Sequence, residues 1–215
     1  MRIALLQSLV IAALFCAVGT SHASITVYTS QAAFNAAVTA PGVDTYTGFS
    51  ITGATPSPIF RSAGAYNYTG SASTSTFFGA GTTANPWLST NVATDSITFD
   101  TFSGGVMAVG GNFFGSDISG LFAAGSVTLV ATDGSGSSTQ TITGATTTSF
   151  LGFVSSGAMT SVVLTSVQPA AGVVLWPTAD NLTLAMAAAV PEPGTYAFMM
   201  AGLSVVGFMA RRRRS

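Results

Sequence analysis

Between residues 24 and 190 apolar side chains recur at every second position in short runs, and each run is closed by a cluster of Gly, Ser or Asp. In Ser126-Val127-Thr128-Leu129-Val130-Ala131-Thr132, residues Val127, Leu129 and Ala131 fall on one face, and in Ser96-Ile97-Thr98-Phe99-Asp100 the pair Ile97 and Phe99 does the same. Similar alternation covers residues 25–28, 106–114, 139–143, 150–154, 160–167 and 182–186. Because successive side chains of an extended chain point to opposite faces, this period describes strands with one face buried and one wet. The turn signals between them are Ser103-Gly104-Gly105, Gly115-Ser116-Asp117, Asp133-Gly134-Ser135-Gly136 and Ser155-Ser156-Gly157. Many short strands separated by such turns predict an all-β fold, an antiparallel sandwich or barrel. Residues 31–38 depart from the period: Phe34, Ala37 and Val38 have helical spacing behind Ser30, a suitable N-cap, so one short N-terminal helix is expected there. Residues 52–58 and 70–85 are rich in Gly, Ser, Thr and Ala with little apolar periodicity and read as long loops.

Both ends of the chain carry address-like segments. Arg2 is a short basic start, residues 3–18 are an apolar run, and Ser21-His22-Ala23 places small residues where a signal peptidase needs them. Residues 1–23 therefore read as a signal peptide with a mature start at Ser24. Cys16 follows Phe15 inside the apolar run, which does not suit lipidation. At the other end Val190-Pro191-Glu192-Pro193-Gly194 precedes an uncharged stretch over 195–210 and then Arg211, Arg212, Arg213 and Arg214. Those 16 uncharged residues would span about 24 Å as a helix, short of a hydrocarbon core of about 30 Å. Arginine stems extend the reach by lying along the apolar zone with their heads at the interface. A single transmembrane helix over 195–210 is expected, with the Arg cluster cytoplasmic and the body on the far side. Pro191 and Pro193 cannot continue a strand or helix and predict a stiff, accessible hinge.

The body between these segments, 24–189, is long enough for one domain with a substantial core. Lys and Cys are absent from it, the chain's single His (His22) lies in the signal segment, and Arg61 is its one basic residue against Asp44, Asp95, Asp100, Asp117, Asp133 and Asp180, a net charge of −5. Nucleic-acid binding is excluded by that balance, since phosphate neutralisation requires Lys and Arg. Thiol, Ser-His and zinc chemistry lack their residues. Only a carboxylate pair remains for catalysis, with Asp95 and Asp100, or Asp117 and Asp133, as the pairs a glycoside hydrolase would need. No disulfide is available, so the core alone must stabilise the fold. Ser and Thr supply 50 of the 167 residues from 24 to 190, so hydroxyls do the solvating that charges do elsewhere.

The C-terminal order of Pro-Glu-Pro, apolar run and Arg cluster resembles the PEP-CTERM sorting signal of Gram-negative bacteria, also known as an ice-binding-protein C-terminal domain without implying ice binding. The resemblance implies an exported cargo whose precursor is held at the inner membrane. It also implies a processing partner, an exosortase, thought to recognise Pro-Glu-Pro, remove the tail and pass the cargo outward in cells that often make extracellular polysaccharide. Four further segments, Tyr28-Thr29-Ser30-Gln31-Ala32-Ala33-Phe34, Gly110-Gly111-Asn112-Phe113-Phe114-Gly115, Ser149-Phe150-Leu151-Gly152-Phe153-Val154 and Ala179-Asp180-Asn181-Leu182-Thr183-Leu184, look like those of uncharacterised PEP-CTERM cargo domains. That resemblance implies a jelly-roll-like sandwich similar to galactose-binding or lectin-like modules.

Aromatic rings are the expected carbohydrate platform, because a sugar's apolar face packs on a ring while neighbouring hydroxyls satisfy its edge. Trp87, Trp176, Tyr66 and Tyr68 are the candidates, with core packing as the competing role for the tryptophans. Arg61 is expected to pair with one of the carboxylates. No organic cofactor is implied; a structural calcium ion, if held, is expected at Asp180 beside Asn181. Taken together the expected protein is a non-enzymatic, structural or adhesive component of the cell surface or exopolysaccharide layer. The alternatives are a lectin-like carbohydrate-binding module and a carboxylate-only glycoside hydrolase.

Overall fold

The computed structural model describes residues 24–51, 53–74, 76–170, 174–189 and 193–212. The expected signal peptide, Val190, Pro191 and Glu192 of the sorting motif, and Arg213 and Arg214 lie outside the described residues. In chain order the first elements are β1 (Ile25–Tyr28), α1 (Gln31–Ala36), β2 (Val38–Asp44), β3 (Ala54–Pro56), β4 (Ile59–Ala63) and β5 (Tyr66–Ala72). Next come β6 (Thr76–Thr82), β7 (Asn85–Thr90), β8 (Ser96–Asp100), β9 (Ala108–Ser116) and β10 (Phe122–Ala123). The last are β11 (Gly125–Asp133), β12 (Gly136–Ala145), β13 (Phe150–Ser155), β14 (Met159–Val167) and β15 (Trp176–Ala187), then α2 (Pro193–Arg212).

Two antiparallel sheets result, as the alternation predicts. One has nine strands in the order β1-β13-β9-β15-β7-β6-β3, with β10 paired to β9 and β2 to β15; the other has six in the order β12-β11-β14-β8-β5-β4. Ile97, Phe99, Val127, Leu129, Val162 and Leu164 of the six-stranded sheet are fully buried, and they share one core cluster with Val109, Phe113, Leu151, Phe153, Leu182 and Leu184 of the other. The chain passes between sheets at β3 to β4, β5 to β6, β7 to β8, β8 to β9, β10 to β11, β12 to β13, β13 to β14 and β14 to β15, a connectivity consistent with the jelly-roll-like sandwich.

Two expectations need correction. Residues 70–85 are not a long loop, since they end β5, form all of β6 and begin β7, and residues 52–58 contain the short β3. The apolar signal is hidden by small residues that close packing requires. A Cβ on Gly79 of β6 would overlap the Ser50 carbonyl oxygen and stand 2.8 Å from Ile51 Cα, so only glycine allows this backbone crossing. The helix, in turn, stops at Ala36: Ala37 is its C-cap, donating to the Phe34 carbonyl at 2.9 Å, and Val38 is already strand.

A second, smaller core lies on the other face of the nine-stranded sheet, where α1 packs through Phe34 with Val38, Ala108, Phe150 and Ala185. Gly110 of β9 and Gly152 of β13 are register partners beneath that ring. A Cβ at Gly152 would collide with Phe34 and lie 3.0 Å from Phe150 Cε1, and one at Gly110 would lie 3.2 Å from Phe34 Cζ. The two glycines thus form a hollow for Phe34, which brings three of the segments that resemble cargo domains to one place. The fourth joins them one register step away, where Asn181 Nδ2 donates to Asn112 Oδ1 at 3.3 Å beside a bulge between Asp180 and Thr183.

Candidate functional site

Arg61 pairs with a carboxylate as expected, and the partner is Asp44, with Nε to Oδ2 at 2.6 Å and Nη2 to Oδ1 at 2.8 Å. Asp44 is 5 % exposed and also accepts from the Tyr46 N–H at 2.8 Å and the Tyr68 hydroxyl at 2.8 Å. The Arg61 guanidinium lies 5.2 Å from the Tyr46 ring centre, a cation–π contact. Burial pushes the Tyr68 hydroxyl well above its ordinary pKa, and the bond to Asp44 holds Arg61 charged. Asp44, Arg61 and Tyr68 hold one another, while the buried Tyr46 hydroxyl has no hydrogen-bond partner among the described residues, and the arrangement ties β2, β4 and β5 together.

Tyr66 and Tyr68, expected as carbohydrate contacts, both alternate onto the inner face and are buried, with the Tyr66 hydroxyl donating to the Ala40 carbonyl at 3.1 Å. Trp87 packs edge-on against Phe114, ring centres 4.9 Å apart, and its buried Nε1 has no partner, so this indole serves packing. Trp176 differs. It opens β15 half-buried and lines a cleft of about 270 Å³ with Phe78, Asn91, Ser116, Asp117 and Ile118.

The floor of that cleft is a chain of buried hydroxyls. Thr178 Oγ1 donates to Ser116 Oγ at 2.8 Å, and Ser89 Oγ donates to the Pro177 carbonyl at 3.0 Å. One rim is the turn after β9, which Asp117 ties by accepting the Ser119 and Leu121 N–H groups on Oδ1 at 2.8 and 2.9 Å. Ile118 stands on this rim 80 % exposed. A half-exposed indole, an apolar rim, the Asp117 carboxylate and neutral hydroxyls suit a polar, uncharged ligand with an apolar face.

Neither carboxylate pair is assembled. Asp95 and Asp100 bracket β8, whose five residues put about 16 Å between them. Asp133 bonds Ser155, whose N–H donates to Met107 just before β9, while Asp117 follows the other end of that strand; nine residues of strand separate them by about 30 Å. Asp95 instead accepts from Ser73 and Thr74 at 2.9 and 2.5 Å, and Asp133 closes the β11–β12 hairpin through Ser135, Gly136 and Ser155. Those bonds lower the Asp133 carboxyl from its ordinary 3.8 to about 2.

Asp180 is buried, and its oxygens take the Asn181 N–H at 2.8 Å and Asn181 Nδ2 at 3.1 Å. Burial raises its pKa. Among the described residues no group of three or more His, Cys, Asp or Glu side chains is placed to hold a metal ion.

The described part of the C-terminal segment starts where β15 ends. The Ala188 N–H donates to the Ala37 carbonyl at 2.9 Å, pinning the exit point beside α1. Pro193 then occupies the first position of α2, where its missing N–H costs nothing. The 20 residues of α2 extend about 30 Å, with Met199, Met200, Leu203, Val206 and Met209 exposed and Arg211 and Arg212 in the last turn. A helix covers the expected 195–210; among the described residues no helix is long and apolar enough to cross a membrane. Sequence reasoning missed Asp117, Ile118 and the buried hydroxyls as cleft residues; their signal was a Gly-Ser-Asp turn with an exposed Ile, read only as a turn.

Comparison with curated proteins gives no match, and neither does comparison with solved structures. Comparison with protein families gives a match to the PEP-CTERM protein-sorting motif over residues 189–214. The chain therefore carries a PEP-CTERM protein-sorting motif at its C-terminal end, which supports an exported protein targeted to an exosortase.

Proposed function

We propose that the protein is an exported, non-enzymatic β-sandwich cargo with a structural or adhesive role in the exopolysaccharide layer at the cell surface. The observation that carries this reading is the sorting motif placed directly after a complete domain that ends at the Ala188 tie. In this reading the exposed apolar residues of α2 and its terminal arginines engage the inner membrane, an exosortase acts at Pro191-Glu192-Pro193, and the sandwich continues outward. Intact-mass measurement on membrane and extracellular fractions of the producing cell tests it. Extracellular protein beginning near Ser24 and lacking Arg211–Arg212 is the expected result. Surface protein that retains those arginines would refute processing.

Trp176 favours a second reading, a lectin-like module that holds a neutral sugar in the cleft between β6, β7, β9 and β15. Indole fluorescence of a Trp87→Phe variant reports Trp176 alone among the tryptophans. Titration with cellobiose, maltose and lactose should shift that emission for at least one sugar, and Asp117→Ala should abolish the shift. Unchanged emission with all three, and with the exopolysaccharide of the producing cell, removes this reading.

A further inference from the structure

The six-stranded sheet ends in β12, which among the described residues pairs with a strand on one side only, β11. At ten residues this free edge is about 33 Å long. The other sheet ends are shorter: β1 has four residues, β3 three and β4 five. Proteins normally blunt such an edge with charge, proline or a covering segment, because its unpaired N–H and C=O groups template another strand. The sequence Gly136-Ser137-Ser138-Thr139-Gln140-Thr141-Ile142-Thr143-Gly144-Ala145 contains neither charge nor proline. Ser137, Thr139, Thr141 and Thr143 are exposed on its outward face.

Behind this edge the sandwich is open. A cleft of about 550 Å³ separates β12 from the start of α1 and from β13, lined by Gln140, Ile142, Ser149, Phe150 and Leu151 among others. Ile142 packs against the main core from a half-buried position. A strand added to β12 would satisfy the edge and narrow the mouth of the cleft.

We propose that the added strand is β12 of a second copy, paired antiparallel about a two-fold axis near Gln140 and Thr141, so that two six-stranded sheets become one. Two observations select a second copy over another partner. A two-fold pairing sets the strand against itself, so any charge near the axis would face its twin; in an acidic domain this strand is free of charge. The nearest carboxylate, Asp133, sits opposite Gly136 at the strand end, which places the two Asp133 side chains about 30 Å apart, beyond a Debye length of about 8 Å. Threonines already pair across antiparallel strands on this outward face, where the Thr141 hydroxyl meets that of Thr128 on β11 at 2.9 Å.

Sedimentation velocity of the full chain in a mild non-ionic detergent tests the proposal, with Thr139→Lys/Thr143→Lys as the variant. The wild type is expected as a concentration-dependent dimer, and the four lysines gathered at the two-fold should weaken it by at least about tenfold. A monomeric wild type overturns the proposal, as does a dimer that the lysines leave intact, which would place association in the tail. Circular dichroism checks that the variant folds. If it does not, single cysteines in a Cys16→Ser background decide: Thr141→Cys should cross-link under mild oxidation while Ser137→Cys should not. Equal cross-linking at both positions overturns the pairing.

Discussion

Replacing Gly152 with Ala places a methyl group where Phe34 Cε2 stands 2.9 Å and Phe150 Cε1 3.0 Å away, so the ring must leave its hollow or the helix must lift. Overpacking of this kind costs about 1–3 kcal/mol, offset by about 0.5–1 kcal/mol because alanine loses less backbone freedom than glycine in a strand. The net loss expected is about 1–2 kcal/mol. Phe34→Ala empties the hollow and should cost about 3–5 kcal/mol, since the ring is fully buried. In the double variant the methyl at 152 meets no Phe34 ring, and Phe150 can turn into the vacated space. Adding Gly152→Ala to Phe34→Ala should then be neutral or slightly stabilising, a coupling of about 2 kcal/mol between the sites. Urea unfolding followed by far-UV circular dichroism gives all four stabilities, and an unchanged m-value confirms that the midpoints compare like with like. Losses that add to within about 0.5 kcal/mol would refute the reasoning, because the glycines would then not be shaped to the ring.

Arg61→Ala leaves Asp44 buried without its cation and should cost about 3–5 kcal/mol in urea unfolding at neutral pH; a loss below about 1 kcal/mol would mean that Tyr68 and the Tyr46 N–H suffice. Asp133 and Asp180 should respond to acid in opposite directions. The folded pKa of Asp133 is depressed to about 2 from 3.8, so its contribution is present above the ordinary value and is lost as pH falls through about 2. The folded pKa of Asp180 is raised by burial, so its contribution is full below the ordinary value and declines as pH rises through the shifted one. Asp133→Asn should therefore destabilise at pH 7, by about 1–3 kcal/mol from lost carboxylate bonds, and Asp180→Asn should be neutral or stabilising there. Urea midpoints of the two variants at pH 7 that move in the same direction would contradict this assignment.

Strands whose inner residues are large, such as Ile97 and Phe99 of β8 or Val127 and Leu129 of β11, were legible because alternation in size is alternation in burial. The strands over 66–90 were harder to see. In β6 and β7 the core face has large apolar residues only at Phe77 and Leu88, Gly79 between them must admit another backbone, and Ala80 and Ser89 on the other face are buried while small, so no run of alternating apolar residues marks these strands. The tyrosines show a different limit. Period two puts Tyr66 and Tyr68 on one face, but which face is decided by the sheet they join, and pairing with β8 turns them inward. Trp176 and Trp87 both flank proline in the sequence; their separation into cleft and core depends on Phe114, whose position no local pattern gives. The order of the four short segments was informative because each supplies one wall of the α1 seat or of the adjoining bulge.

The position of β15 bears on timing. It is the last strand to be made, yet it sits inside the nine-stranded sheet, bonded to β9, β7 and β2, and its end closes on Ala37 through Ala188. The sheet therefore lacks an interior member until nearly the whole body has emerged, and pairing so distant in sequence is slow, on the scale of milliseconds to seconds. In the reading proposed above, a segment holding the chain at the membrane after β15 would give the sandwich that interval in which to close before release. Retention and folding would then be coupled by geometry alone: cutting the tail early would free a chain whose central sheet still has a gap to fill.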